Sequence, residues 1–206
     1  MKLTSDSVFI YPTDTVWGIG ASIYSEAAYK KIAEIKKTTT DKPLSIMFTD
    51  INVLYKSFNF PSEITVPWLR NFFKLETSLG IPLKISTISI PSWVTAKSNM
   101  VSVRCLDMDL LKPISSSIKG PFFSTSLNVT GEDPIINYKE AKEFQLTHAP
   151  DAEFVGDRFN NLSGHSSTIV FFSGSSFEII REGSRIIEIK KHLSLTGIET
   201  TGLNIK

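Results

Sequence analysis

The chain has 206 residues, with 22 Lys and Arg against 21 Asp and Glu, so its formal net charge is +1. This length is enough for one domain with a sizeable core. The balanced charge excludes a global field that would attract nucleic acid or an anionic membrane. The single Cys105 excludes an internal disulfide and a cysteine metal cluster. Since no apolar run suits a signal peptide or a membrane span, we expect a cytoplasmic protein that makes no membrane contact.

The chain opens with a short apolar run, residues 8–10, which predicts a first strand. Pro12 fixes φ and has no N–H, so the strand is expected to end there and the chain to turn. Residues 13–20 then place two hydroxyls and a carboxylate ahead of two glycines. A polar loop between a strand and a helix is a common position for a ligand. An ordinary turn explains the same residues equally well.

The remaining elements are predicted from periodicity, breakers and caps. Ser25 is a suitable N-cap for a helix through about Lys37, with Lys36 at the edge of the buried stripe. Further along we predict a strand at 44–48, two helices within 50–80 with Pro61 and Pro67 as breakers, strands at 83–90, 101–105 and 122–126, a helix from Asn137 to Phe144, and a hairpin of strands 168–172 and 177–180. Strands and helices alternate throughout, so we predict one α/β domain over residues 1–206, with a mixed sheet and a short tail at 190–206.

Familiar catalytic motifs, among them Walker A, G-x-G-x-x-G, H-E-x-x-H and G-x-S-x-G, are absent from the sequence, and the three histidines have no metal-site spacing. Hydroxyls and cations instead recur at the predicted strand ends. They are Thr13, Thr15, Lys36, Lys42, Ser102, Arg104, Ser124, Ser126, Asn128, Ser167, Thr168 and Arg181. Strand alternation places Ser102 and Arg104 on one face.

This set of side chains suits an anionic ligand that carries phosphate or carboxylate, because fixed cations neutralise it while hydroxyls and amides orient it. No nucleophile–base pair is evident, so covalent catalysis is not expected. Ordinary explanations remain for each group. Lysines are usually solvated, serines cap turns, and Arg104 could pair with a neighbouring carboxylate.

Ordered sequence blocks span residues 11–183. They are "YPTDTVWGIG" from Tyr11, "KKTTTDKPL" from Lys36, "SVRC" from Ser102, "STSLNVTG" from Ser124, "SSTIV" from Ser166 and "IIREG" from Ile179. Together the blocks resemble the YrdC-like family of threonylcarbamoyl-AMP synthases. Any one block is a weak signal, whereas the ordered set is specific. The resemblance implies a twisted α/β sheet with flanking helices around a large, positively charged cavity.

The resemblance also implies an activity. L-threonine, bicarbonate and ATP would be condensed to threonylcarbamoyl-adenylate with release of pyrophosphate, and Mg²⁺ would accompany ATP. The product would feed the t6A modification of tRNA, which a separate transferase complex completes. By the same resemblance the catalytic residues would be Lys36, Lys42 and Arg104; threonine would be held by Thr13, Arg104, Ser124 and Ser167; and ATP would be held by Lys36, Lys42, Ser102, Ser126, Asn128 and Arg181. No protein metal ligand is predicted.

Two departures from the family pattern stand out. The family's K-x-R motif has Thr38 here in place of arginine, and Thr38 cannot replace a guanidinium fork. The family's W-P-G-P-x-T block is not evident, and "LETSLGIPLKIST" from Leu75 occupies roughly its place. Two hypotheses follow. The chain is a divergent synthase, or it is a paralogue that binds RNA or a nucleotide without synthesis; binding of tRNA by the chain itself is left open.

Overall fold

The computed structural model describes residues 3–40, 43–156 and 162–202. Within these ranges the strands are β1 (Phe9–Pro12), β2 (Trp17–Ser22), β3 (Ser45–Phe48), β4 (Thr77–Pro82), β5 (Met100–Cys105), β6 (Phe122–Ser126), β7 (Glu153–Phe154), β8 (Thr168–Phe172), β9 (Ser176–Arg181) and β10 (Glu199–Gly202). The α-helices are α1 (Glu26–Ile35), α2 (Ile51–Lys56), α3 (Val66–Phe73), α4 (Lys112–Ile118), α5 (Tyr138–His148) and α6 (Ile186–Ser194).

All the described strands belong to one mixed sheet in the order β10-β9-β8-β4-β5-β3-β6-β2-β1-β7. The central strand β3 pairs in parallel with β5 and antiparallel with β6, and β4 joins β5 antiparallel and β8 parallel. Strands distant in sequence therefore lie side by side. The predicted α/β class and mixed sheet are confirmed.

The two faces of the sheet are covered unequally. One face packs its apolar side chains against helices α1, α2, α3, α5 and α6 and forms the larger core. The other face has a smaller core with α4, to which β1 contributes Phe9 and Tyr11 and β6 contributes Phe122. Because α4 has only 7 residues, it leaves part of this second face open to a cavity.

The opening segment forms a hairpin and not the predicted strand, loop and helix. Pro12 ends β1 as predicted, but β2 follows the polar loop 13–16 and pairs with β1 from Pro12↔Trp17 to Phe9↔Gly20. Trp17, Ile19 and Ala21 are fully buried on one face of β2, which gives the segment the period of a strand. A Cβ at Gly20 would lie 2.4 Å from the Phe123 carbonyl oxygen, so glycine permits the close approach of β6.

The predicted strand at 83–90 is wrong. The strand in this region is β4, which ends at Pro82, and a short 3-10 helix covers Leu83–Ile85. Proline cannot donate to the ladder, so pairing stops there. Pro67 also does not break a helix, because it occupies the first turn of α3, where a missing N–H costs nothing.

The end of the chain is more structured than the predicted tail. Residues 190–202 include the second half of α6 and strand β10, which pairs in parallel with β9. The predicted caps are confirmed for two helices. Ser25 Oγ accepts from Ala28 N at 3.2 Å, and Asn137 Oδ1 accepts from Glu140 N at 2.9 Å, although α5 continues to His148. None of the helices in the described ranges has the length and apolar character needed to cross a bilayer.

Candidate functional site

Two adjoining cavities lie at the open part of the sheet, with volumes of about 440 and 260 Å³. They share a rim formed by Pro43, Leu44, Thr125 and Ser126. Of the predicted residues, the larger cavity contains Thr13, Arg104, Ser124, Ser126, Ser167 and Arg181. The smaller cavity contains Lys36, Ser126 and Asn128, together with Thr38. The fold thus collects blocks that are far apart in sequence around two neighbouring cavities.

The floor of the larger cavity is the second face of the sheet. Strands β3, β4, β5, β6 and β8 supply Ser45, Ser78, Arg104, Ser124 and Ile169 to it. Neighbouring residues on these strands point into the larger core, as Val103 and Phe123 do. Side chains alternate between the two faces of each strand, so the polar residues line the cavity while the apolar ones enter the core. This agrees with the predicted placement of Arg104 on the face opposite its apolar neighbours.

Arg104 is held in place by an ion pair. Its side chain is only 8% exposed, and Nη2 donates to both carboxylate oxygens of Asp14 at 2.7 and 3.0 Å. Nη1 lies 3.4 Å from Thr15 Oγ1, whereas the buried Nε has no hydrogen-bond partner within the described residues. Arg104 thus both pairs with a carboxylate and lines the cavity. The pairing fixes the plane of its guanidinium toward the cavity.

Arg181 brings a second cation to the same cavity. Its Nε donates to the Ser167 carbonyl oxygen at 3.0 Å. Burial lowers the pKa of Arg181, and the charge of Arg104 lowers it further, although a guanidinium stays protonated. None of the described residues that line this cavity carries a carboxylate. The described lining of the cavity is therefore cationic, while the carboxylate of Asp14 pairs with Arg104 from outside that lining.

The loop 13–16 is shaped by one hydroxyl. Thr13 Oγ1 accepts from Thr15 N and Val16 N, both at 3.1 Å, and donates to the Val16 carbonyl oxygen at 2.7 Å. Ser163 N and Gly164 N bond the carbonyl oxygens of Asp14 and Thr15, which ties this loop to the segment before β8. Thr13 lies at the cavity, but its hydroxyl already serves the loop. A direct contact between Thr13 and a ligand stays a prediction.

Lys36 ties the end of α1 to the loop that follows β6. Its Nζ donates to the Ser126 carbonyl at 2.5 Å, to the Asn128 carbonyl at 2.9 Å and to Asn128 Oδ1 at 2.8 Å. An ammonium has three protons, so these bonds occupy all of them. Burial lowers the pKa of Lys36 to about 8. Ser126 Oγ also donates to Asn128 Oδ1 at 2.7 Å, so the S-x-N pair is one connected unit.

Three further positions named in the sequence analysis are Ser102, Thr38 and Lys42. Ser102 Oγ is 3.0 Å from Ser45 Oγ, so it supports a floor residue and does not itself line either cavity. Thr38 is half-buried at the smaller cavity. It directly follows Lys37, which lies after the C-cap Lys36 of α1 and has a left-handed conformation with φ 51°. Lys42 lies outside the described residues.

Two contributors to the site were missed from the sequence. Asp14 pairs with Arg104, and Tyr11 donates its hydroxyl to Ser124 Oγ. Asp14 and Tyr11 both lie in the block that begins at Tyr11. The sequence of this block does not show which strands of the sheet lie next to the two side chains. The pairing depends on β5 and β6, which lie about 90 to 110 residues away in sequence.

This fold and site define an α/β protein whose sheet carries a hydroxyl-lined cavity that contains two guanidinium groups. A comparison with family models identifies it further. The Sua5/YciO/YrdC model, described as "Telomere recombination", matches residues 1–183. The chain belongs to this family.

Relatives with known names agree with this placement. The threonylcarbamoyl-AMP synthase of Psychrobacter arcticus is 30% identical over 172 residues, covering 75% of this chain and 80% of that protein. The structure of P. abyssi Sua5 complexed with L-threonine superimposes with a TM-score of 0.76 at 22% identity, over 95% of this chain and 56% of that one. The present chain thus spans just over half of that Sua5. E. coli YciO superimposes with a TM-score of 0.68 at 17% identity, over 87% of this chain and 84% of that one.

Proposed function

We propose that this chain is a threonylcarbamoyl-AMP synthase, which condenses L-threonine, bicarbonate and ATP and releases pyrophosphate. The observation that carries the proposal is the position of Arg104, held by Asp14 at the floor of a cationic cavity that joins a second one at Ser126. Bacterial relatives of similar length are named for this activity, and P. abyssi Sua5, which has this fold, was crystallised with L-threonine.

The two joined cavities suit two substrates that must meet. We place threonine in the larger cavity, where Arg104 and Ser124 would hold its carboxylate and Ser167 and Thr13 would border it. The nucleotide would cross the shared rim, with Ser126 beside its phosphates and Asn128 and Lys36 beneath it. Arg181 would cover the phosphate side. This arrangement would bring the amino group close to the α-phosphorus.

The chemistry needs alignment more than covalent help. The threonine amine would add to CO2 formed from bicarbonate, with loss of a proton, and give a carbamate. A carbamate oxygen would attack the α-phosphorus of ATP, the bond to the β-phosphate oxygen would break, and pyrophosphate would leave. Arg104 and Arg181 would neutralise the developing charge, and the buried ammonium of Lys36 would add to the same field. Lys42 would contribute a further cation to the reaction, as the resemblance implies.

Mg²⁺ would enter with ATP. Within the described ranges no group of three or more His, Cys, Asp and Glu side chains could hold a metal ion, and Asp14 is already engaged by Arg104. The hydroxyls of the cavity suit an ion that keeps its waters and is bound mainly by phosphate oxygens. We therefore write the nucleotide substrate as MgATP.

One assay tests the proposed function. Purified protein is incubated with MgATP, threonine and bicarbonate, and pyrophosphate is followed over time. We expect release that requires all three substrates, with a product that contains threonine and AMP. Release without threonine or without bicarbonate would show a different reaction, and no release would favour the paralogue that only binds a nucleotide.

The paralogue hypothesis is favoured by one observation, the uncharged Thr38 at the smaller cavity. Near-neutral net charge argues against general RNA binding, because such binding draws on many phosphate contacts. If the chain is a synthase, its product would pass to the t6A transferase complex.

At Thr38 we predict that a substitution strengthens ATP binding. Replacing Thr38 with arginine should lower the KM for ATP about threefold to tenfold, because a charge-assisted hydrogen bond to phosphate contributes about 1 kcal/mol or more. Steady-state kinetics with varied ATP measures this change. Thr40→Arg is the matched control, since Thr40 is exposed and outside both cavities. An unchanged KM in Thr38→Arg would show that this position does not face the nucleotide.

The buried ammonium of Lys36 predicts a pH dependence of ATP binding. Its pKa in the folded protein is about 8, below that of a free lysine, so the site loses this charge first as pH rises. We expect ATP affinity to be constant below pH 7.5 and to weaken above pH 8, as the charged fraction falls about tenfold per unit. Calorimetry without threonine measures this, because the substrate amine then does not titrate. Arginine stays protonated in this range, so in Lys36→Arg the weakening of ATP affinity above pH 8 should disappear. If the weakening persisted, a group other than Lys36 would cause it.

A further inference from the structure

Tyr11 reaches across a strand to a residue of the cavity. It is fully buried, and its Cα partner on β2 is Gly18. A Cβ at Gly18 would lie 3.0 Å from Tyr11 Cζ and 3.2 Å from its hydroxyl oxygen. Since glycine leaves that space free, the phenol ring lies over β2 and reaches β6, two strands from its own. There its hydroxyl donates to Ser124 Oγ.

The ring is fixed by packing on both sides. It meets Phe122 edge to face at a centroid distance of 5.2 Å and Phe9 at 5.8 Å. Burial raises the pKa of Tyr11 above its ordinary value, although Ser124 and Arg104 partly oppose this, so the phenol keeps its proton at every working pH. A protonated Tyr11 donates to Ser124, and Ser124 keeps its own proton for another acceptor. Ser124 faces the larger cavity, where that acceptor would lie.

We propose that Tyr11 is a positioning residue, which directs the Ser124 hydroxyl as a hydrogen-bond donor toward a carboxylate oxygen of the amino-acid substrate. The inference rests on the proposed function. Arg104 lines the same cavity, so a hydroxyl donor and a guanidinium would share one anionic group. The ammonium group of the substrate is a poorer partner for Ser124 than the carboxylate. An ammonium needs an acceptor, and Ser124 Oγ already accepts one hydrogen bond.

Tyr11→Phe tests this, since it removes one oxygen and keeps the ring. We expect the KM for threonine to rise about threefold to tenfold, the effect of one hydrogen bond, while kcat and the KM for ATP change less than about twofold. Tyr55→Phe is the matched control, because Tyr55 is half-buried, stacks on Phe60 and lies outside both cavities. It should leave all three constants unchanged.

A double-mutant cycle separates positioning from a general loss of structure. If Tyr11 acts through Ser124, Tyr11→Phe should have no further effect on threonine KM in a Ser124→Ala background. Additive effects would overturn the inference, as would a wild-type KM in Tyr11→Phe. Should Tyr11→Phe fold poorly, Gly18→Ala displaces the phenol by a few tenths of an ångström and should raise the threonine KM in the same direction. A wild-type protein that neither binds threonine in calorimetry nor releases pyrophosphate would overturn the proposed function itself.

Discussion

Replacing Arg104 with alanine is expected to lower kcat/KM by about a thousandfold or more. The guanidinium lies on the floor of the larger cavity and is oriented by two bonds to Asp14. A group that neutralises charge in a water-poor site contributes about 3–4 kcal/mol to transition-state stabilisation. Pyrophosphate release under subsaturating threonine and ATP measures the loss.

Arg104→Lys sharpens this test. Lysine keeps the charge and could pair with Asp14, but it has no second nitrogen to take the place of Nη1 beside Thr15 and no planar guanidinium to present to the cavity. We therefore expect it to recover less than a tenth of wild-type kcat/KM. The exposed Arg70 on α3 provides the control, and Arg70→Ala should retain wild-type kinetics. If Arg104→Ala turned over like the control, the site would have to be placed elsewhere on the sheet.

Replacing Lys36 with methionine should abolish measurable synthesis and also destabilise the fold. The substitution leaves the carbonyl oxygens of Ser126 and Asn128 without this donor, whereas Asn128 Oδ1 keeps Ser126 Oγ. Each unsatisfied buried acceptor costs about 1–3 kcal/mol. Burial of the ammonium is itself unfavourable, as its lowered pKa shows, and methionine relieves that cost. The cost of two unsatisfied acceptors slightly exceeds the relieved burial cost, which leaves a net loss of about 1 kcal/mol.

A loss of this size should lower Tm by about 2–4 °C in a chain of this length. Thermal unfolding by circular dichroism measures it, beside the pyrophosphate assay. Lys30→Met is the matched control on the same helix, since Lys30 forms an exposed pair with Glu26 at 2.9 Å. Such a pair contributes less than about 1 kcal/mol. If Lys36→Met lost activity without any change in Tm, the side chain would act on the substrate alone and not through the 126–128 loop.

Local patterns predicted the strands and helices whose residues carry clear periodicity or caps. The strand at 101–105 was predicted within one residue because its apolar and polar residues alternate. Asn137 was predicted as a cap because Glu140 follows three residues later, and its side chain does accept a hydrogen bond from the Glu140 amide. The strand predicted at 83–90 failed for a local reason as well. The buried stretch TSLGIP of β4 is apolar or small throughout and shows no alternation, whereas the segment after it alternates without pairing as a strand.

The sequence by itself determined the class of fold, the family resemblance and the set of cations and hydroxyls at strand ends, because these depend on residue types and on short spacings. Only the tertiary structure decided that Arg104 faces Asp14, that Lys36 closes on the 126–128 loop and that Tyr11 reaches Ser124. Each contact joins residues about 90 to 110 positions apart. Such contacts depend on which strands become neighbours and in which register, and a one-residue slip would turn every side chain to the other face.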